Sequence, residues 1–411
     1  MNIKISKFNN IRKKRKEISQ KVSRIIKYVK KYKDDALVNL TKKYENRTIK
    51  KKDMVINIKK IDFSKLSKTD KKSLIECRDQ IIKFHKLQKK YIYKSWIKKN
   101  KNFNIIGQIL NPINKIGVYS PGGMTFYPSS IFMSVIPAII AGVKKIYLFT
   151  PAKPSRKSLS VFYSAKICGL KKVYNIGGAQ SIAAMSIGTK RIKRVNKIYG
   201  PGNIFVNEAK KKMFGRVGIS NLAGPTEILI LFDKKNKRKR IVKELFSQIE
   251  HDKNCFSVLI SNKKSFLISI IKIIKKFIYK SKNKIIKHSI KNTLFFYKKK
   301  IKECIKLSNY FAPEHLSIFV KNPLKYLKYV KSAGTVFLGK KTYEPMGDYS
   351  IGINHVLPTN KSSKFSSPLG VYDFYKSFNI VSVKKKKKYK DLAKKIAEIE
   401  KLSFHKKVFD E

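Results

Sequence analysis

A chain of 411 residues with 42% hydrophobic content is long enough for two or more domains and can fill their cores. Lysine and arginine total 95 against 25 acids, a formal net charge of +70, which taken alone points to an anionic partner. No apolar run reaches the length of a membrane span, the N-terminus lacks the apolar core of a secretion signal, and Cys77, Cys168, Cys255 and Cys304 have no paired spacing, which excludes a membrane protein, a disulfide scaffold and a zinc finger.

The charge excess is almost all lysine: the chain holds 11 arginines and none after Arg240. It is spread evenly and accompanied by Ile, Asn, Phe and Tyr, which share A/T-rich codons with Lys, so drift in coding composition accounts for it. Arginine, the better bidentate reader of phosphates and bases, is scarce. No specific nucleic-acid partner is expected, and a cytoplasmic protein with reduced thiols is.

Residues 1–100 read as helices, because ISQKVSRIIKYVKKYKDDALVNLTKKY and SLIECRDQIIKFHKLQKKYI place apolar groups three and four apart. From about 105 the short β-branched runs KIGVYS, KKIYLFT, KKVYNIG and VNKIYG alternate with the helix-like SSIFMSVIPAIIAG and SLSVFYSAKICG, a spacing that predicts parallel α/β units. A second group follows: strand TEILILF, a helix containing KELFSQIEH, strand FSVLIS, helix FLISIIKIIKKFI, and strands KNTLFFY, LSIFV and GTVFLG. The basic runs KKNKRKR at 234–240 and KKKKK at 384–388 read as solvated.

Three glycine-rich turns end strands of the first group: SPGG at 120–123, IGGAQ at 176–180 and GPGN at 200–203. Open α/β sheets bind ligands at this end of their strands, glycine permits close approach, and helix-start amides can hold phosphate. The dinucleotide fingerprint G-x-G-x-x-G is absent. Among six histidines, His85 reads as packed in a helix and His288 as solvated. Gln248 and His251 fall three apart on one helical face, Asp348 and His355 share the glycine-bearing loop GDYSIGINHVLPT, and His405 lies in KLSFH, five after Glu400. Such an N/O set without thiolate suits a catalytic metal rather than a closed structural site. In FAPEHLSIF at 311–319, Glu314 and His315 are adjacent behind Pro313. They read either as a helix-start acid beside a packed ring or as a proton-transfer pair.

The segments GVYSPGG, NIGGAQSIAA, KIYGPGNIFVNEAK, AGPTE, SQIEH, APEHL, GTVFLG, GDYSIGINHVLPT and LGVYDF, in this order, closely resemble the histidinol dehydrogenase family over about residues 20–408. The resemblance implies NAD-dependent, four-electron oxidation of L-histidinol to L-histidine via histidinal. It implies one zinc per subunit held by Gln248, His251, Asp348 and, from the partner subunit of a homodimer, His405. Glu314 and His315 become the acid/base pair. Substrate contacts are implied from Thr226, Gln248, His251, His315, Asp348, Glu400 and His405, and NAD contacts from Tyr119, Gln180 and Asn203. The implied fold is α/β, with two incomplete Rossmann-like domains and small helical extensions in a domain-swapped homodimer. Its expected limits are 1–20 for the N-terminal extension, 21–118 with 227–369 for the domain of metal and catalytic residues, 119–226 for the NAD turns, and 370–411 for a tail reaching the partner. The chain departs from the family pattern at SNL (220–222), at Thr226 in place of serine, at Lys253 in place of a proline, and in a short C-terminus. None of these removes a proposed catalytic or metal group.

Overall fold

The structure, a computed structural model, describes residues 2–92, 94–100, 104–122, 126–233, 236–384 and 387–410, with side chains from residue 15 onward. Gly123 of the first glycine turn, Lys234 and Lys235, and Lys385 and Lys386 of the basic runs lie outside the described residues.

Three sheets organise the chain. The first has the order β1 (Val55–Asn57), β6 (Lys172–Tyr174), β5 (Lys145–Phe149), β4 (Lys115–Tyr119), β7 (Lys197–Tyr199), β8 (Gly218–Ile219), all parallel except the antiparallel edge pair β1–β6. The second is wholly parallel, ordered β11 (Thr293–Tyr297), β10 (Phe256–Ser261), β9 (Glu227–Phe232), β12 (His315–Phe319), β13 (Thr335–Leu338). The third is antiparallel: β14 (Tyr375–Ser382), β3 (Ile105–Pro112), β2 (Trp96–Lys99). In each parallel sheet the strand order reverses beside the first strand, between β4 and β7 and between β9 and β12.

Both faces of the parallel sheets are covered, which is why their strands read as continuous apolar runs. Along β9, Ile228, Ile230 and Phe232 enter one core, while Leu229 and Leu231 enter the core on the opposite face. The first sheet is covered likewise, with Ile116 and Val118 in one core and Tyr119 and Ile198 in the other. Among the described residues no helix is long and apolar enough to cross a membrane.

Three expectations are corrected. Grouping 21–118 with 227–369 fails, because Val55–Asn57 and Lys115–Tyr119 hydrogen-bond in the first sheet with the strands of 119–226. Residues 1–100 are not all helical: β1 is too short to show a period, and Trp96–Lys99 is exposed along its whole length. The run at 234–240 is not simply solvated, since Arg240 lies 4.3 Å from the Phe319 ring centroid and 4.5 Å from that of Tyr343, and Arg238 lies 4.9 Å from that of Phe266.

Candidate active site and nucleotide crevice

The acid and imidazole of FAPEHLSIF stand at the amino end of β12, beside the amino end of β9. This is the end opposite to the one that carries ligands in open α/β sheets. Helices run back antiparallel to the strands they follow, so the end of the helix Arg238–Ile249 returns to this edge and delivers Gln248 and, just beyond it, His251. The short helix Glu344–Tyr349 after β13 adds Glu344 and Asp348, and the loop beyond it adds His355.

His315 is buried, and its Nδ1 lies 3.1 Å from the Glu227 carbonyl oxygen. A carbonyl only accepts, so Nδ1 carries the proton and Nε2 holds the free lone pair. Glu314 accepts the Glu227 backbone N–H at 2.9 Å through Oε2, which also sits 3.7 Å from His315 Nδ1. Glu344 Oε1 lies 3.3 Å from His315 Nε2, and Glu344 Oε2 accepts a hydrogen bond from Gln248 Nε2. Among the described residues that leaves the amide oxygen of Gln248 as its uncommitted end. Behind them, Glu244 Oε1 accepts the Glu344 backbone N–H at 2.9 Å and the Ser317 hydroxyl at 3.4 Å. His355 Nδ1 donates to the Asp348 carbonyl at 3.1 Å, and among the described residues its Nε2 has no hydrogen-bond partner.

Burial dominates the electrostatics. It holds Glu314 well above the usual carboxylate range, with Glu227, Asp348 and Glu344 adding to the effect. It pushes Glu344 up to about 9, helped by Asp348 and Glu244. His315 falls to about 4 because burial outweighs the Asp348 charge and the hydrogen bond to the Glu227 carbonyl. The imidazole is therefore neutral at physiological pH, as a general base must be. A cation here would favour the ionised acids. Ligand atoms of His315, Glu344 and Asp348 lie within 4.8 Å of one another, close enough to share an ion, and Glu344 Oε1 is buried without a hydrogen bond. Gln248, His251 and His355 add further N and O donors at the same edge, so this donor set fits a divalent metal.

At the carboxyl ends of the first sheet the glycine turns surround Tyr119. Gly200 has φ +98°, and a Cβ there would lie 1.9 Å from the Tyr119 carbonyl oxygen, so only glycine lets β4 and β7 meet this closely. Gly178 N–H donates to the Tyr119 hydroxyl at 3.3 Å. Asn203 caps the helix Ile204–Met213, its Oδ1 accepting from Phe205 and Val206 N–H. Gln180 is buried with its Nε2 on Glu45. Asn207 joins this crevice to the chain that leads to the acid cluster, donating to the carbonyls of Gly202 at 3.1 Å and Ala223 at 2.6 Å.

A sequence model of the histidinol dehydrogenase family matches residues 9–410. A histidinol dehydrogenase of Clostridium acetobutylicum is 38% identical over 394 residues, covering 95% of this chain and 91% of that protein. The crystal structure of histidinol dehydrogenase from Elizabethkingia anophelis superposes with a TM-score of 0.86 at 30% identity, covering 95% of this chain and 91% of that one. The chain belongs to the histidinol dehydrogenase family. Its activity is accordingly that of an NAD-dependent oxidoreductase of histidine biosynthesis. An acetylating aldehyde dehydrogenase from Geobacillus thermoglucosidasius, with a TM-score of 0.50 at 10% identity, shares the fold alone.

Of the residues that the histidinol dehydrogenase resemblance implied, Glu314, His315, Gln248 and Asp348 gather at one edge, with Thr226 directly before Glu227 in the chain. His251 is exposed there, close enough to add to the lowering of His315 and His355. Tyr119 and Gln180 meet through Gly178. Glu400 and His405 do not join them: both are exposed on the tail, whose strand β14 pairs with β3 of its own chain. Sequence reasoning missed Glu227, Glu244 and Glu344. No motif pattern marks a buried acid, although five acids converging here from a chain with only 25 is conspicuous once the fold is known.

Proposed function

We propose that this edge carries out both oxidations of L-histidinol to L-histidine. The observation that carries the reading is the buried His315 ring, anchored through Nδ1 to the Glu227 carbonyl, with Nε2 facing the acid cluster as the nitrogen that can exchange a proton. Nε2 takes the substrate hydroxyl proton in the first oxidation and serves again in the second. Between them Glu314, in the ionised form that a cation at this edge would favour, activates the water that attacks the aldehyde.

Gln248 through its free amide oxygen, His251, Asp348 and His405 from a second copy of the chain would hold zinc, with Thr226 and Glu400 contacting substrate. An ion held by His315, Glu344 and Asp348 instead would consume the Nε2 lone pair that the chemistry needs, so Glu344 is read as a support of Gln248. When bound, zinc supplies a fixed charge that orients the imidazole and amine of histidinol, and NAD accepts hydride. Tyr119, Gln180 and Asn203, at the strand reversal of an incomplete Rossmann-like half, would contact the nucleotide.

The second copy is supported by the tail itself. Leu392, Ile396 and Ile399 on its helix Lys387–Ile399 are exposed, as are Phe404 and Val408, and so are Ile97, Ile106 and Val381 on the three-stranded sheet. Apolar surface displayed on two projecting elements suits exchange between subunits of a cytoplasmic homodimer.

Purified protein supplied with histidinol should form two NADH per histidine and lose turnover on chelation, recovering it with zinc. A one-to-one yield with histidinal as the main product would overturn the reading.

A further inference from the structure

Glu45 ends the N-terminal helical run Asn2–Glu45, the unfavourable end for an acid, because the last carbonyls of a helix carry partial negative charge. Its side chain is only 13% exposed. Oε1 accepts the Gly177 N–H and the Gln180 Nε2 amide, each at 3.0 Å. Oε2 accepts Arg47 Nε at 2.8 Å, and Arg47 Nη2 donates to the Asn175 carbonyl at 2.9 Å. Both residues thus grip the turn that opens the helix Gly178–Ile187.

A helix start preceded by glycines is an anion site in waiting. Here the chain's own carboxylate occupies it, and the next N–H, that of Gly178, is taken by the Tyr119 hydroxyl. Glu45 also acts on Tyr119 by its charge, adding to the burial that raises that phenol to about 12. The two proposed nucleotide contacts on this side of the crevice are therefore both tied to Glu45. With Nε2 committed, Gln180 has only Oε1 to offer, a pure acceptor. Among the described residues it takes no hydrogen bond.

We propose that Glu45 is a positioning residue of the nucleotide crevice. It is a built-in anion that turns the Gln180 carbonyl toward the cofactor and closes this helix start to the cofactor's phosphates. The matching group on the ligand is a donor, a ribose hydroxyl or the carboxamide NH2. The inference rests on the reading of Gln180 as a nucleotide contact. A purely structural Glu45, tying the N-terminal helix to the sheet, would lower stability without selecting among ligands.

Calorimetric titration of NAD into the full-length protein separates the two. Glu45→Ala should weaken NAD about tenfold, the order of one misdirected hydrogen bond, and raise the KM for NAD while leaving the KM for histidinol and the zinc content unchanged. Glu45→Gln, whose carbonyl still accepts from Gly177 and Gln180, should recover most of the affinity. Glu45→Asp, shorter by one methylene but still charged beside Arg47, should not, and it serves if the alanine variant fails to fold. In a Gln180→Ala background the Glu45 substitutions should have no further effect on NAD. Wild-type or tighter NAD binding by Glu45→Ala or Glu45→Asp, or losses that simply add to that of Gln180→Ala, would overturn the proposal. Gln180→Ala with undiminished NAD affinity would remove the reading beneath it as well.

Discussion

On the proposed reading, His315 and Glu314 divide their work by what each touches. His315 has its orientation fixed by a backbone carbonyl, while Glu314 Oε2 is fixed by a backbone N–H of the same residue, Glu227. Replacing His315 with Asn should therefore slow both hydride steps, and Glu314→Gln should mainly block the half in which water attacks. Loss of a general acid/base costs roughly 10²–10⁴ in rate. Stopped-flow NADH traces from histidinol and from supplied histidinal distinguish them, and near wild-type histidine formation from histidinal by Glu314→Gln would reassign water activation. Adjacency in APEH was legible from the sequence, but the choice between acid beside ring and working pair was settled there only by resemblance, since what the ring's two nitrogens face is a tertiary fact.

Lys210 makes a second point at this scale. It is fully buried behind the GPGN turn, its Nζ donating to the Gly200 carbonyl at 2.5 Å and the Ser220 hydroxyl at 3.3 Å, and burial lowers it from 10.5 to about 7. With the folded pKa below the unfolded one, the unfolded chain binds more protons between pH 7 and 10.5. Stability then rises with pH across that window, and the burial cost, on the order of a few kcal/mol, is fully felt below pH 7. Melting temperatures of wild type and Lys210→Met compared at pH 6, 8 and 10 should diverge in favour of wild type as pH rises. Parallel pH profiles would show that the ammonium is not desolvated.

Among the elements, the strands of the two parallel sheets other than the short edge strands β1 and β8 were readable, because each is a largely apolar run. The three-stranded sheet was not, because β2 is exposed along its length and offers no alternation. The glycine turns were readable as turns, though not for what each glycine does. A Cβ added at Gly200 (φ +98°) would meet the Tyr119 backbone at 1.9 Å, whereas one at Gly169 (φ +81°) would meet nothing within 4 Å among the described residues. Gly169→Ala should cost only the left-handed strain, about 1–2 kcal/mol. Gly200→Ala must also part β4 from β7, so its melting temperature should fall much further and its NAD affinity with it. Equal losses for the two would mean that the close approach of the strands is not needed.

For the whole molecule, the tail poses the sharpest question. It begins by pairing over eight residues with its own chain, Tyr375 opposite Pro112 through Ser382 opposite Ile105, and ends with exposed apolar side chains and exposed His405. If His405 and Glu400 complete the site of a second copy, a His405→Ala subunit and a His251→Ala subunit should complement. Each homodimer lacks a zinc ligand in both sites, while the mixed dimer concentrates both defects in one site and leaves the other whole. Activity should return towards half that of a wild-type dimer per mixed dimer formed. Verified mixed dimers without activity would mean that the tail serves its own chain.

The sequence by itself determined what depends on local pattern: the alternation of helix and strand, the glycine turns, and the residue types at motif spacings that single out the family. Only the tertiary structure decided which end of each sheet the motifs occupy and which acids gather there. The glycine turns lie at carboxyl ends of one sheet, while Glu314 and His315 lie at amino ends of the other, and Glu45, Glu227, Glu244 and Glu344 enter from four separate segments. Strand periodicity carries no information about which end faces a ligand. A carboxylate has no sequence signature until burial takes away its water and makes its neighbours decide its charge.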